Sequence, residues 1–289
     1  MNNSKKLAFS LVELAAVISI IAILLSIVGK TISTLKSSRL SNARYITNNS
    51  KIAENSNLVA WYETSLIESF KADETQNKDE LTIWNDISPL SLISDPNNHA
   101  LSKTASPNIT FEEKGINDLP SIKFDGSANL TLSNFQEGDL SQATIFIVAR
   151  RLNSSTSTQY ILDSAASGSS FAAGISNDSV TINAGIAANS GAGSASFQFN
   201  EDVVLAIYIN GANSRAFSNN ADDIIGGGDI DSGSNIMTGL TLGTDKDGLS
   251  GFNGLISEII IFNSPLPKYL RRDIMKYLST KYDIRINNL

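Results

Sequence analysis

The chain has 289 residues, 42% of them apolar, a formal net charge of −7 and no cysteine. A chain of this size can bury a sizeable core, but disulfides and thiolate metal sites are excluded. The basic residues are scattered, which argues against nucleic acid as a partner, and a single histidine, His99, rules out a zinc site with two or more His ligands.

Lys5 and Lys6 precede an apolar run that reaches Gly29 and is interrupted by Ser10, Glu13, Ser19 and Ser26. Counted from Phe9, its apolar length is about 20 residues, enough to cross a bilayer. The two lysines place the N-terminus in the cytoplasm, so a single-pass membrane anchor with the remainder outside is expected. No small-x-small cleavage site follows the run. The apolar spacing continues through Ile32, Leu35, Leu40, Ala43, Ile46 and Ile52. This predicts one helix from Phe9 to about Glu54, roughly 70 Å long, with a bend at Gly29.

From Leu58 the texture changes to short β-rich runs between Gly, Asn, Asp, Ser and Pro. They are LVAWYE, PSIKFD, ANLTLS, ATIFIVARRL, QYILDS, FAAGIS, DSVTINAG, VVLAIYING, SRAFSN, MTGLTLG and GLISEIIIFN. Such a series predicts an all-β sandwich or barrel. Ile259 and Phe262 point to opposite faces, so a second layer can cover that strand. Residues 164–198 are rich in Ala, Gly and Ser, but Phe171, Ile175, Val180, Ile182 and Phe197 favour strands there. At the end, Leu266, Leu270, Ile274 and Leu278 form one helical stripe. Ser264 is its expected cap, Pro267 suits its first turn, and Lys268, Arg271, Arg272 and Lys276 fall on the wet side.

Candidate chemistry is sparse. A retaining glycosidase needs two carboxylates about 5 Å apart; Glu258 stands alone in its strand, and His99 sits in a turn. The expectation is that the chain is not an enzyme, with a tethered glycan hydrolase as the alternative. No cofactor is required. Calcium needs six to eight oxygen ligands, and Asp245 with Asp247 is the best candidate site. Asp125 and the group Asp222, Asp223, Asp229 and Asp231 come next, although spaced Asp and Gly are also ordinary turn residues. Trp61 and Trp84 read as core. Tyr160, Tyr208 and Phe217 are candidates for an exposed binding face.

Two stretches resemble known families. KKLAFSLVEL resembles the class III leader of type IV prepilins and type II secretion pseudopilins: a short basic leader, a small residue, Phe, aliphatics, Glu, then an apolar helix. The resemblance implies that a prepilin peptidase cuts between Ala8 and Phe9 and methylates the new amine. The family usually has Gly where this chain has Ala8. Glu13 becomes the fifth mature residue and pairs with the N-terminal amine of a neighbouring subunit. From Leu58 to about Ile284, the order LVAWYE, IWNDIS, LPSIKFDGSANLTL, ATIFIVAR and the closing strand–helix resembles the concanavalin A-like, LamG-type jelly roll. That resemblance implies two curved antiparallel sheets whose concave face or edge loops bind glycans or proteins, often with calcium.

Together these readings give a mainly β protein with a long N-terminal helix, a β-sandwich head and a short C-terminal helix. The implied segments are a leader over 1–8, a transmembrane and stalk helix over 9–57 and a head over 58–289. The implied protein is a minor pilin of the bacterial inner membrane, later part of an extracellular pilus, with an adhesive head. Its partners would be the peptidase, the membrane, other pilins and a surface glycan or protein. A pseudopilin of type II secretion, in a periplasmic filament, is the alternative.

Overall fold

The structure is a computed structural model. It describes residues 11–89, 100–103, 109–136, 138–165, 167–189, 195–221 and 229–289, with no side-chain description for 26–36, 103 and 187–189. Contacts divide the chain into two units that meet between Asn42 and Ala43.

The first element, α1 (Leu11–Asn48), has 38 residues, about 57 Å at 1.5 Å per residue. Gly29 lies within it. The helix stops short of the expected Glu54, at a cluster of Asn and Ser side chains that compete for the backbone. Asn49 donates its side-chain amide to the carbonyl of Tyr45 at 2.8 Å, and Ile52–Glu54 follows as a separate 3₁₀ turn. The final turns of α1 belong to the unit of the head. Ala43, Thr47 and Ile52 are buried there, and Arg44 Nε donates to the carbonyl of Ser65 at 2.7 Å.

The head is a sandwich of two antiparallel sheets. Its strands are β1 (Leu58–Glu63), β2 (Ile83–Trp84), β3 (Leu101–Lys103), β4 (Thr110–Glu112), β5 (Ser121–Asp125), β6 (Leu130–Leu132), β7 (Ala143–Arg151) and β8 (Gln159–Asp163). They continue with β9 (Ala172–Ser176), β10 (Ser179–Asn183), β11 (Ala187–Asn189), β12 (Asp202–Ile209), β13 (Arg215–Ser218), β14 (Leu240–Leu242) and β15 (Asn253–Phe262). The seven-stranded sheet runs β13-β12-β7-β15-β5-β4, with β1 also paired to β15. β5 and β1 share one edge of β15, β5 against residues 253–256 and β1 against residues 258–262. The eight-stranded sheet runs β11-β10-β9-β8-β14-β6-β3-β2.

Alternation along the strands sorts the core into two layers. Ile145, Ile147, Ile259 and Ile261 pack between the sheets with Phe171, Phe197 and Leu240. Phe146, Val148, Ile260 and Phe262 point the other way, under the C-terminal helix α2 (Lys268–Tyr282). Ile259 and Phe262 therefore do face opposite layers. Leu266, Ile274 and Leu278 are buried on α2 and Leu270 is partly buried. The helix start differs from expectation. Pro267 occupies the cap position without a side-chain cap, and Ser264 instead accepts a hydrogen bond from Thr144 Oγ1 at its carbonyl, 2.7 Å.

Candidate functional site

Beneath α2 lies a buried ionic cluster. Glu63 closes β1 and Glu258 lies directly opposite it on β15. A register shift between Ile256 and Glu258 in the β15–β7 pairing resets the alternation, so Glu258 points to the helix side. Lys281, on the last turn of α2, places Nζ 2.7 Å from Glu63 Oε2 and 2.8 Å from Glu258 Oε2. All three side chains have no solvent exposure.

Every remaining oxygen of the pair is occupied. Glu258 Oε1 accepts from Trp61 Nε1 at 2.7 Å and from the Tyr277 hydroxyl at 2.8 Å. Its Oε2 accepts from the Tyr282 hydroxyl at 2.9 Å. Glu63 is held by the turn after β1: Ser65 N at 2.9 Å, Ser65 Oγ at 2.5 Å, Leu66 N at 2.5 Å and Ser69 Oγ at 3.2 Å. Burial pushes the Glu63 carboxyl up, but Lys281 and the Ser65 donors outweigh it and hold it below the usual range. For Lys281 burial acts downward, and the two carboxylates overcome it to raise its pKa. Burial, then the charges of Glu258 and Glu63, push both tyrosine hydroxyls well above their ordinary value.

Trp61, whose indole N–H reaches Glu258, also lines a neighbouring cavity of about 470 Å³. Trp61, Leu66 and Ile87 give it apolar walls, while Thr47, Asn85 and Glu68 supply polar groups. A second concavity, of about 430 Å³, opens on the eight-stranded sheet at β3 and the end of β6. Its lining is mostly hydrogen-bonding: Ser102, Thr131, Ser133, Asn134 and Gln136. Ser102 and Thr131 are register partners across β3 and β6, so the two strands set them side by side. Hydroxyls and amides in an open groove suit a polyhydroxylated ligand.

The residues singled out in the sequence fare differently. Ala8, Phe9, His99, Asp222 and Asp223 lie outside the described residues. Glu13 sits in the first turn of α1. Asp245 accepts the backbone N–H groups of Asp247, Leu249 and Ser250 at 3.2, 2.7 and 3.2 Å, closing its own turn. Asp247 pairs with Lys246 at 2.8 Å. Asp125 accepts from Ser127, Asp229 pairs with Arg215, and Asp231 accepts from Gly233 N at 2.9 Å. Among the described residues no three His, Cys, Asp or Glu converge as a metal-binding group.

Trp84 is fully buried and Trp61 nearly so, as expected of core. Tyr208 and Phe217 do not form an exposed face. Both are buried, packed edge to face with centroids 6.0 Å apart, and the Arg271 guanidinium lies 4.5 Å above the Tyr208 ring. Tyr160 is half-buried, and burial raises its pKa. Sequence reasoning missed Glu63 and Lys281. The available signal was that Lys281 continues the apolar stripe Ile274–Leu278 one turn on, where a lysine needs a buried partner.

No protein-family model matches the chain, and no curated protein matches it. Solved structures share the fold. A Trypanosoma rangeli sialidase in complex with sialic acid has 10% identity and a TM-score of 0.51; the match covers 81% of this chain and 34% of the sialidase. Domain 4 of a GH43 extracellular arabinanase from Geobacillus stearothermophilus, in complex with arabinotriose, has 14% identity and a TM-score of 0.51. That match covers 76% of this chain and 98% of the domain. The chain thus spans about a third of the sialidase and nearly all of the arabinanase domain.

Two expectations are corrected here. The reading of the chain as not an enzyme does not stand, because its fold recurs in glycan-processing enzymes and gives no ground for excluding catalysis. The single-pass inner-membrane anchor does not stand either. Among the described residues no helix is long and apolar enough to cross a membrane.

Proposed function

We propose that this chain is a subunit of a type IV pilin-like filament whose sandwich head binds glycans. The observation that carries the reading is the surface of α1. Ten large aliphatic side chains between Leu11 and Leu25 are each 45–85% exposed, on all sides of the helix. Apolar surface on this scale needs cover, and the same helix of neighbouring subunits provides it by side-chain interdigitation. Glu13 is the single acidic residue in that stretch. Together with the prepilin-like leader, this suits a carboxylate that pairs with a neighbour's terminal amine.

The glycan part rests on the groove of Ser102, Thr131, Ser133, Asn134 and Gln136 and on a fold shared with an arabinotriose-bound domain. Its test is a glycan array on residues 43–289, with released reducing sugar followed on every positive glycan. Binding is expected, and Asn134→Ala should weaken it about tenfold by removing an amide hydrogen bond. Failure of every glycan to bind, or binding indifferent to Asn134→Ala and Gln136→Ala together, would contradict this placement.

A further inference from the structure

We infer that Lys281 is a modification site: its amine condenses with the carboxyl of Glu258 to an amide that cross-links α2 to β15. The cluster holds the parts of such a reaction in place. The nucleophile, Lys281 Nζ, rests 2.8 Å from Glu258 Oε2, and a separate carboxylate, Glu63, rests 2.7 Å from the same nitrogen. Contact of this kind, fixed by a packed core, replaces a bimolecular encounter by an intramolecular one. Trp61 Nε1 and the Tyr277 hydroxyl both donate to Glu258 Oε1. They are aimed where negative charge grows when the carboxyl carbon is attacked.

The roles of the two glutamates follow from their other partners. Glu63 has four donors from its own turn, Ser65 N, Ser65 Oγ, Leu66 N and Ser69 Oγ. It stays satisfied as a carboxylate before and after the step, so it relays the proton rather than keeping it, and its contact with Lys281 Nζ gives that relay its path. Glu258 takes only side-chain N–H and O–H donors, at the oxygen that becomes the amide carbonyl and at the one that leaves. In the step, Lys281 passes a proton to Glu63, and the free amine attacks the Glu258 carboxyl carbon. Oε2, hydrogen-bonded by the Tyr282 hydroxyl, departs as water with two of the three ammonium protons. The third proton stays on the amide nitrogen. The cluster carries one net negative charge before and after, and two of its three buried charges have gone. Removing them removes their desolvation cost, and the released water makes reversal in a dry core unfavourable. The reaction occurs once per molecule, so a slow step suffices.

The inference is independent of filament formation. It is tested by mass spectrometry of the denatured full-length chain and its proteolytic peptides. The expected result is a species one water lighter than its sequence, with the peptide of β15 joined to that of α2 through Glu258 and Lys281. Lys281→Met should yield only unlinked peptides. Glu63→Gln, which keeps shape and loses the base, should be folded by circular dichroism yet slow linkage at least tenfold. Separate peptides of full mass from the wild-type chain would overturn the inference. A link from Lys281 to Glu63 would overturn the roles assigned.

Discussion

Replacing Lys281 by Met leaves Glu63 and Glu258 opposite each other under α2 with no cation between them. Against a wild-type chain in which Lys281 and Glu258 are not yet joined, breaking a buried pair by removing one partner costs about 3–5 kcal/mol, a large share of a typical domain's stability; against the joined chain the cross-link is lost as well. Chemical denaturation should show that loss in the midpoint. Adding Glu258→Gln to Lys281→Met should recover part of it, because the remaining Glu63 keeps its turn donors. A Lys281→Met midpoint equal to wild type would show that the cluster contributes nothing. Single residues were the least legible part of the sequence. In the sequence Glu258 stands alone, because its partner Glu63 lies 195 positions earlier on a strand that pairs with β15. A register shift decides which face it takes. Neither fact is written in local spacing. The turn aspartates were visible, but so was their ordinary use, and Asp245 and Asp247 serve their own loop and Lys246.

Whole elements were far more legible. Each of the eleven sequence-predicted strands overlaps an observed one, because runs of β-branched, aromatic and aliphatic residues bounded by turn residues leave little choice where one face is buried. The strands missed, β2, β3, β4 and β11, have two or three residues each; β6 and β14 are as short, but their runs ANLTLS and MTGLTLG show the alternation and the turn residues around it. Two exposed-looking aromatics, Tyr208 and Phe217, were misplaced for a related reason: their strands are covered on the outer face by α2, a partner distant in sequence. The end of α1 shows the same limit. It reads as stalk, yet Ala43, Thr47 and Ile52 are buried in the head unit, and Thr47 Oγ1 meets the Tyr277 hydroxyl at 3.2 Å. A fragment of residues 43–289 should therefore be more stable than one of 58–289. The loss of Ile52 alone is worth about 2 kcal/mol, and the Thr47 hydrogen bond adds about 1 kcal/mol. Thermal melts of the two fragments check this, and equal midpoints would show that the last turns of α1 only lean on the sandwich.

At the scale of the molecule, the seven-stranded sheet is buried on both faces and so organises the head. Its inner face meets the eight-stranded sheet and its outer face meets α2. The hydroxyl and amide groove opens on the eight-stranded sheet, where the proposed ligand would meet the head. The other unit carries the exposed aliphatic surface of α1. One surface is rich in hydrogen-bonding groups and the other is aliphatic, the division that the proposed filament subunit with a binding head requires. The fold class was readable from strand rhythm. What the head binds was not, since hydroxyls and amides scattered over β3, β6 and the following loop become a groove only once the strands pair. The filament claim is tested most directly by the N-terminus of this chain in filaments sheared from cells. The expected result is the chain recovered in the filaments and starting at N-methylated Phe9. Its absence from the filaments, or its presence with Met1 intact, would contradict the proposal.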